Sequence, residues 1–155
     1  MANLDQIDRQ LLAELQDEGR ITNVELAQRV GLTAPPCLRR VRALEDMGVI
    51  RGYHADLDGA KLGFSITVFA LVSLKSQAED ALRAFENHVG TLPEVRECHM
   101  LNGEIDFILK IVSRDLQGFQ EFLTSKLTPA PNVASVKTSL TIRTAKHIPG
   151  VPLEV

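Results

Sequence analysis

The sequence predicts an α+β chain in two parts: a short helical segment followed by two β-α-β units. Three observations carry this reading. Apolar residues recur at helical spacing up to about residue 48, alternation with a period of two sets in at residue 65, and strand and helix patterns then follow in the order βαββαβ. The expected boundaries are 1–53 for the helical domain, 54–64 for a hairpin or linker, 65–147 for the βαββαβ domain and 148–155 for a C-terminal tail.

Asp5 suits the cap of a first helix whose apolar positions are Ile7, Leu11, Leu12 and Leu15, with Leu4 just outside and Gly19 after the last turn. A second, short helix is expected from Asn23 as cap, burying Val24, Leu26, Ala27 and Val30 and stopping at Gly31. Thr33 then caps a third helix, with Pro35 and Pro36 in the first turn, where missing amide protons cost least. Two helices joined by a short turn containing Gly make a helix-turn-helix. Beyond Gly48, residues 49–57 roughly alternate apolar and polar and lead into the turn Asp58-Gly59, which reads as a small β-hairpin or linking strand and makes the unit a winged helix-turn-helix.

The third helix carries three arginines within four residues. At 100° per residue, Cys37, Leu38, Val41 and Leu44 form one stripe, Arg39 lies nearly opposite its centre, and Arg40 and Arg42 sit on the shoulders. Arg42 has Asp46 four residues on, whereas Arg39 and Arg40 have no acidic neighbour one helical turn away. Unpaired guanidinium groups near the start of such a helix suit phosphate oxygens, and one of them suits a guanine edge in the major groove. Thr33 and Pro36 at the helix start and Arg51 just beyond it complete the candidate contacts with double-stranded DNA.

In the second part, a strand over 65–74 is apolar on both faces. Ser76 with Glu79 resembles a capping box for a helix burying Leu82, Phe85 and Val89, ended by Gly90 and Pro93. Strands over 95–101 and 106–112, a helix over 116–127 and a strand over 133–143 complete the pattern. Right-handed crossovers place both helices on one face of a four-stranded sheet. The other face is left bare, with Phe69 and Leu71 on the first strand and apolar residues expected on the third and fourth. A homodimer, sheet against sheet, covers such a patch.

The chain has 155 residues, 45% apolar and 24% charged, and a net charge of −3. That charge resides in the first 60 residues, so DNA binding must rest on local placement rather than bulk charge. No apolar run approaches the roughly 20 residues of a membrane span, and MANLDQIDRQ lacks the character of a secretory signal, so cytoplasmic location is expected. Cys37 and Cys98 stand far apart without a CxxC, which reads as two small buried hydrophobes rather than a zinc module or disulfide. His54, His88, His99 and His147 fall in no metal-ligand spacing, and GxSxG, P-loop and GxGxxG motifs are absent. Neighbouring strand residues face opposite ways, which separates Cys98 from His99. No metal, no cofactor and no catalytic residues are expected.

The stretches LDQIDRQLLAELQDEGRITNVELAQRVGLT, PCLRRVRALEDMGVIRGYHADLD and ECHMLNGEIDFILK, in this order, resemble the leucine-responsive regulator/asparagine-activator (Lrp/AsnC) family of prokaryotic transcription factors over nearly the whole chain. The resemblance implies an N-terminal DNA-binding domain and a ferredoxin-like (RAM-type) C-terminal domain. That domain dimerises, assembles further, with octamers expected, and binds a free amino acid as effector. It also implies that the turn between the second and third strands builds the effector pocket where dimers meet: Leu101, Asn102, Gly103, Glu104 and Asp106, with Met100 and Leu101 lining the side-chain pocket. Amides at a Gly turn suit a carboxylate, and an Asp suits an ammonium. Read from the residues alone, Asn102-Gly103 is equally a hairpin turn and Asp106 the start of a strand. Two other functions stay open at this point: a βαββαβ ligand-binding or assembly module without DNA-binding activity, and a metal-sensing winged-helix regulator.

Overall fold

The computed structural model describes residues 3–154; Met1, Ala2 and Val155, at the outer edges of the expected domain ranges, lie outside them. The chain divides into two compact units, 1–56 with 146–155, and 57–145. The first holds α1 (Gln6–Asp17), α2 (Asn23–Arg29) and α3 (Ala34–Asp46). The second holds β1 (Ile66–Leu74), α4 (Glu79–Gly90), β2 (Val95–Met100), β3 (Phe107–Ser113), α5 (Leu116–Phe122), continued by a π-helical turn over Leu123–Leu127, and β4 (Val133–Leu140).

In the first unit Asp5 caps α1 as expected: the Asp8 amide donates to Asp5 Oδ1 (2.8 Å) and the Asp5 amide to Asp8 Oδ2 (3.3 Å). The cap of α2 is Thr22, whose Oγ1 accepts from the Glu25 amide. Asn23, expected there, is instead a brace across the turn, its Nδ2 donating to the Ala34 carbonyl at the start of α3 (2.8 Å). Between them Gly31 adopts φ +71°, which lets the Leu32 amide reach back to the Ala27 carbonyl (2.8 Å) and sets the direction of α3. Leu11, Leu26, Ala27, Cys37, Val41 and Leu44 form the core. Val24 and Leu38, expected inside, are exposed, because the core takes only a narrow stripe from each of these short helices.

The hairpin or strand expected over 49–57 is not formed; those residues carry no strand pairing. Their alternation is strand-like, but a strand requires a partner ladder and no segment among the described residues supplies one. Val49 and Ile50 pack against the helical core, and the Tyr53 hydroxyl donates to Glu45 Oε1 (2.9 Å). Burial and then the Glu45 carboxylate push the Tyr53 hydroxyl up to about 12.

The second unit is a fully antiparallel sheet in the order β2-β3-β1-β4. In this register Val68 lies opposite Ile111 and Leu140, and Val72 opposite Phe107 and Val136. Alternation puts Val68, Ala70, Val72, Phe107, Leu109 and Ile111 on the face packed against Phe85 and Val89 of α4 and Phe119 and Phe122 of α5. The Phe85 and Phe107 rings meet at 4.9 Å between centroids, tilted by 44°. The other face presents Phe69 and Leu71 with Ile108 and Val112 from β3. On β4 the expectation of apolar residues fails: Ser135, Lys137 and Ser139 occupy that face, and the strand's apolar positions, Val133 and Val136, turn to the helices.

Ser76 and Glu79 do not form a capping box. The N-cap is Ala78, and Ser76, two residues earlier, accepts the Ala78 amide on Oγ while Asn132 clasps its backbone N–H and C=O. Cys37 is buried as expected, but Cys98 is exposed, since β2 is an edge strand only partly covered by α4. No helix among the described residues is long and apolar enough to cross a membrane.

The meeting of Phe85 and Phe107 makes Phe85→Ala a severe change, expected to cost about 3–5 kcal/mol of unfolding free energy in denaturant titration. A loss below about 1 kcal/mol would show that this aromatic pair does not centre the core.

Candidate nucleic-acid and ligand interfaces

Helix α3 turns Cys37, Val41 and Leu44 inward and leaves Arg39 and Arg42 exposed on its outer side. There they line a shallow groove of about 430 Å³ with Pro35, Leu38, Ala43 and Asp46. Among the described residues neither arginine enters a salt bridge, and the expected Arg42 pairing with Asp46 is absent. Thr33 stands exposed at the N-cap with its hydroxyl making no capping bond, and Pro36 is half-buried in the first turn.

Arg40 departs from expectation. Its Nη1 donates to Asp8 Oδ1 (2.7 Å) and Asp5 Oδ2 (2.8 Å), the two carboxylates that cap α1. These bonds, Asp8's first, raise the guanidinium pKa above its ordinary value. Asp5 is held below the usual carboxylate range by the Asp8 amide and by Arg40, against an opposing effect of burial. Sequence spacing leaves Arg40 unpaired because its partners lie 32 and 35 residues away, beyond any helix-periodic rule. Arg29 is likewise taken, by Glu14, Glu18 and Glu25. Arg51 is exposed but lines a different groove, beside Gln16, Tyr53 and His54, so the structure does not gather it with Arg39 and Arg42.

The turn after β2 is exposed from Leu101 through Glu104, and Met100 and Leu101 are 62% and 40% accessible, an apolar lip beside open backbone. It is not a two-residue Asn-Gly hairpin: the Leu101 amide donates to the Asp106 carbonyl (2.8 Å), which encloses residues 102–105. A Cβ at Gly103 would meet no atom within 4 Å, so the loop is open at this point. Asp106 is a buried charged side chain, 8% accessible. Its Oδ2 accepts the Leu74 amide (2.6 Å) and its Oδ1 accepts from Gln77 Nε2 (3.0 Å). Asp106 therefore holds the loop to the end of β1, with both oxygens engaged; Gln77, which sequence reasoning missed, is its side-chain partner. Met100 also lines a groove of about 330 Å³ with Glu86, Cys98 and Phe107. On the open sheet face Glu97 pairs with Lys110 (2.9 Å), which leads in lowering the Glu97 pKa, and lies 3.4 Å from His99 Nε2.

A helix-turn-helix unit that bares two unpaired arginines on its third helix, covalently joined to a separate βαββαβ sheet unit, is the architecture of a two-domain DNA-binding regulator. Known proteins agree. The profile described as "Winged helix-turn-helix DNA-binding" matches residues 4–51, and that described as "Lrp/AsnC ligand binding domain" matches residues 67–151. The chain belongs to the Lrp/AsnC family of transcriptional regulators. It is 53% identical over 143 residues to the leucine-responsive regulatory protein of Rhizobium meliloti, covering 92% of each chain. It is 41% identical over 153 residues to the Bkd operon transcriptional regulator of Pseudomonas aeruginosa, covering 99% of this chain and 100% of that one. Among solved structures, a Neisseria meningitidis transcriptional regulator in complex with L-methionine superposes with a TM-score of 0.92 at 37% identity, covering 97% of both chains.

The Arg40 bridge generates a pH-dependent expectation. The fold lowers the Asp5 pKa from 3.8, so the stability it contributes is fully present above that value and is lost as pH falls through the lower folded value. Arg40→Ala is expected to lower the thermal midpoint at neutral pH, with the gap to the parent protein closing as the medium is acidified below pH 3.8. Arg39→Ala, measured alongside, is expected to leave the midpoint unchanged; equal losses from both would remove the distinction between them.

Proposed function

We propose that this regulator binds double-stranded DNA through the exposed face of α3 and that a free amino acid, bound at the loop spanning residues 100–106, sets its assembly or its affinity for DNA. The observation that carries the DNA reading is the pair of exposed guanidinium groups, Arg39 and Arg42, on one groove of the second helix of a helix-turn-helix. They are free for phosphate oxygens and for a base edge. Thr33 and Pro36 flank them, Arg51 contributes a more distant phosphate contact, and Arg40 supports the helix from behind. Functionally, residues 1–53 are the DNA-binding domain, 54–64 the linker, 65–147 the assembly and effector domain and 148–155 the tail.

The bare sheet face is the dimer surface in this reading. Phe69, Leu71, Ile108 and Val112 supply its apolar part, Lys110 sits among them opposite Phe69 and pairs with Glu97 of the edge strand β2, and Lys137 of β4 stands opposite Leu71 on the other side. A twofold dimer presents two α3 helices to half-sites about one helical turn apart, and higher assembly to an octamer lets several dimers bend one duplex. The loop amides of residues 102–104 hold the effector carboxylate, Asp106 fixes the loop, and Met100 and Leu101 face an apolar side chain. The L-methionine complex of the Neisseria regulator, and the leucine-responsive naming of the Rhizobium relative, support an apolar amino acid.

Two measurements test this. Promoter binding followed across salt concentrations is expected to weaken about tenfold for Arg39→Ala and for Arg42→Ala, with the slope of log K against log salt shallower by about 0.9 for each phosphate no longer neutralised. Unchanged affinity in both variants would sink the DNA assignment and favour an assembly module that does not bind DNA. Thermal unfolding with each of the twenty amino acids is expected to show one or more apolar ones adding about 2.7 kcal/mol at 100 times the dissociation constant. No stabilisation by any of them would refute the effector site.

A further inference from the structure

Residues 146–154, which follow the sheet unit in the chain, cluster with the helical unit. The backbone thus passes from helical unit to sheet unit near residue 56 and returns near residue 145. On the helical unit lies a groove of about 690 Å³, floored by Leu4, Leu12 and Leu15 of the α1 region and by Val49, Ile50 and Tyr53. The C-terminal segment occupies one wall of it, with Leu153 half-buried.

A specific lock holds it there. The side-chain amide of Gln16 pairs with both backbone polar groups of Val151: Gln16 Nε2 donates to the Val151 carbonyl (2.9 Å) and the Val151 amide donates to Gln16 Oε1 (2.9 Å). This is the pair of bonds a neighbouring β-strand would offer, supplied by one side chain across 135 residues of sequence. The preceding residue must be glycine for two reasons. Gly150 has φ +88°, which other residues rarely adopt, and a Cβ there would collide with the Gln16 side chain.

We propose that residues 150–154 are a strap that docks on the DNA-binding unit through Gln16, so that this unit is tethered to the sheet unit at two points rather than one. A unit joined by a single linker samples many orientations and must lose that freedom each time it meets DNA; a second tether removes part of it in advance. The strap follows β4 after residues 141–149, so a change in the sheet unit has a second route to α1 besides the linker at 54–64, along the chain to Val151 and from there through its hydrogen bonds to Gln16. The functional consequence rests on the DNA-binding reading; the docking itself does not.

The test uses the full chain and two variants, Gln16→Ala and Gly150→Ala, each checked for unchanged helix content. Amide hydrogen exchange is expected to show Val151 at least tenfold slower than an unstructured peptide in the parent protein and at the unstructured rate in both variants. Promoter affinity at fixed salt is expected to fall about tenfold in both, with an unchanged salt slope, because the phosphate-binding arginines are untouched and only their orientation is set free. Unprotected Val151 in the parent protein would overturn the docking. Full strap release in both variants with promoter affinity unaltered would overturn its role. A parent protein that protects Val151 yet holds no DNA at low salt would uphold the docking and count against the DNA reading instead.

Discussion

The guanidinium of Arg40, bridged to Asp5 and Asp8, is the interaction on which the helical unit turns. The same two carboxylates that cap α1 neutralise the one α3 arginine that faces them, so a single cluster starts α1, docks α3 against it and leaves the helix rotated with Arg39 and Arg42 outward. Hydrogen bonds to charged groups are about twice as strong as neutral ones, and three of the four bonds in this cluster involve a charge at 2.8 Å or less. The arginine triplet thus divides its labour: one member is structural, and two remain for a negatively charged partner. With Arg29 also sequestered by three glutamates, the acidic balance of the domain is compatible with a locally basic face.

Asp106 plays the matching part in the sheet unit. A carboxylate at the core boundary is stable only where its oxygens are satisfied, and here the end of β1 and Gln77 satisfy them. This pins the loop, whose residues 101–104 are exposed, to β1, the strand that also carries Phe69 and Leu71 on the open face. If the proposed effector site and dimer surface hold, a ligand that reshapes the loop pulls on the strand that builds that surface, through contacts that are contiguous in the molecule. In that reading sensing and assembly share one strand.

Local sequence grammar made most of this fold legible. The Asp5 cap, the prolines opening α3, the Gly31 turn and the βαββαβ order all rest on interactions within a few residues, and all are present. Failures occurred where the deciding partner is remote or absent. Arg40 found acids more than thirty residues away; residues 49–57 alternate correctly but have no strand to pair with; Ser76 lies two residues short of the cap because Asn132 holds that turn. Period-two reasoning gave the faces of β1 correctly, but the short apolar pattern of β4 did not reveal that its apolar residues turn to the helices. Of the candidate sites, the exposed arginines and the open loop were legible as chemistry, whereas Gln16 and Gly150 carried no signal until the chain was folded.

The separation of the three α3 arginines underlies both the stability and the proposed DNA contacts, and their chemical reactivity reads it directly. Mass spectrometry after brief treatment with an arginine-selective dicarbonyl, with and without a DNA duplex carrying the target site, should find Arg39 and Arg42 modified rapidly in the free protein and protected on DNA, and Arg40 slow in both. Arg40 reacting as fast as Arg39 in the free protein, or Arg39 and Arg42 gaining no protection from the duplex, would contradict it.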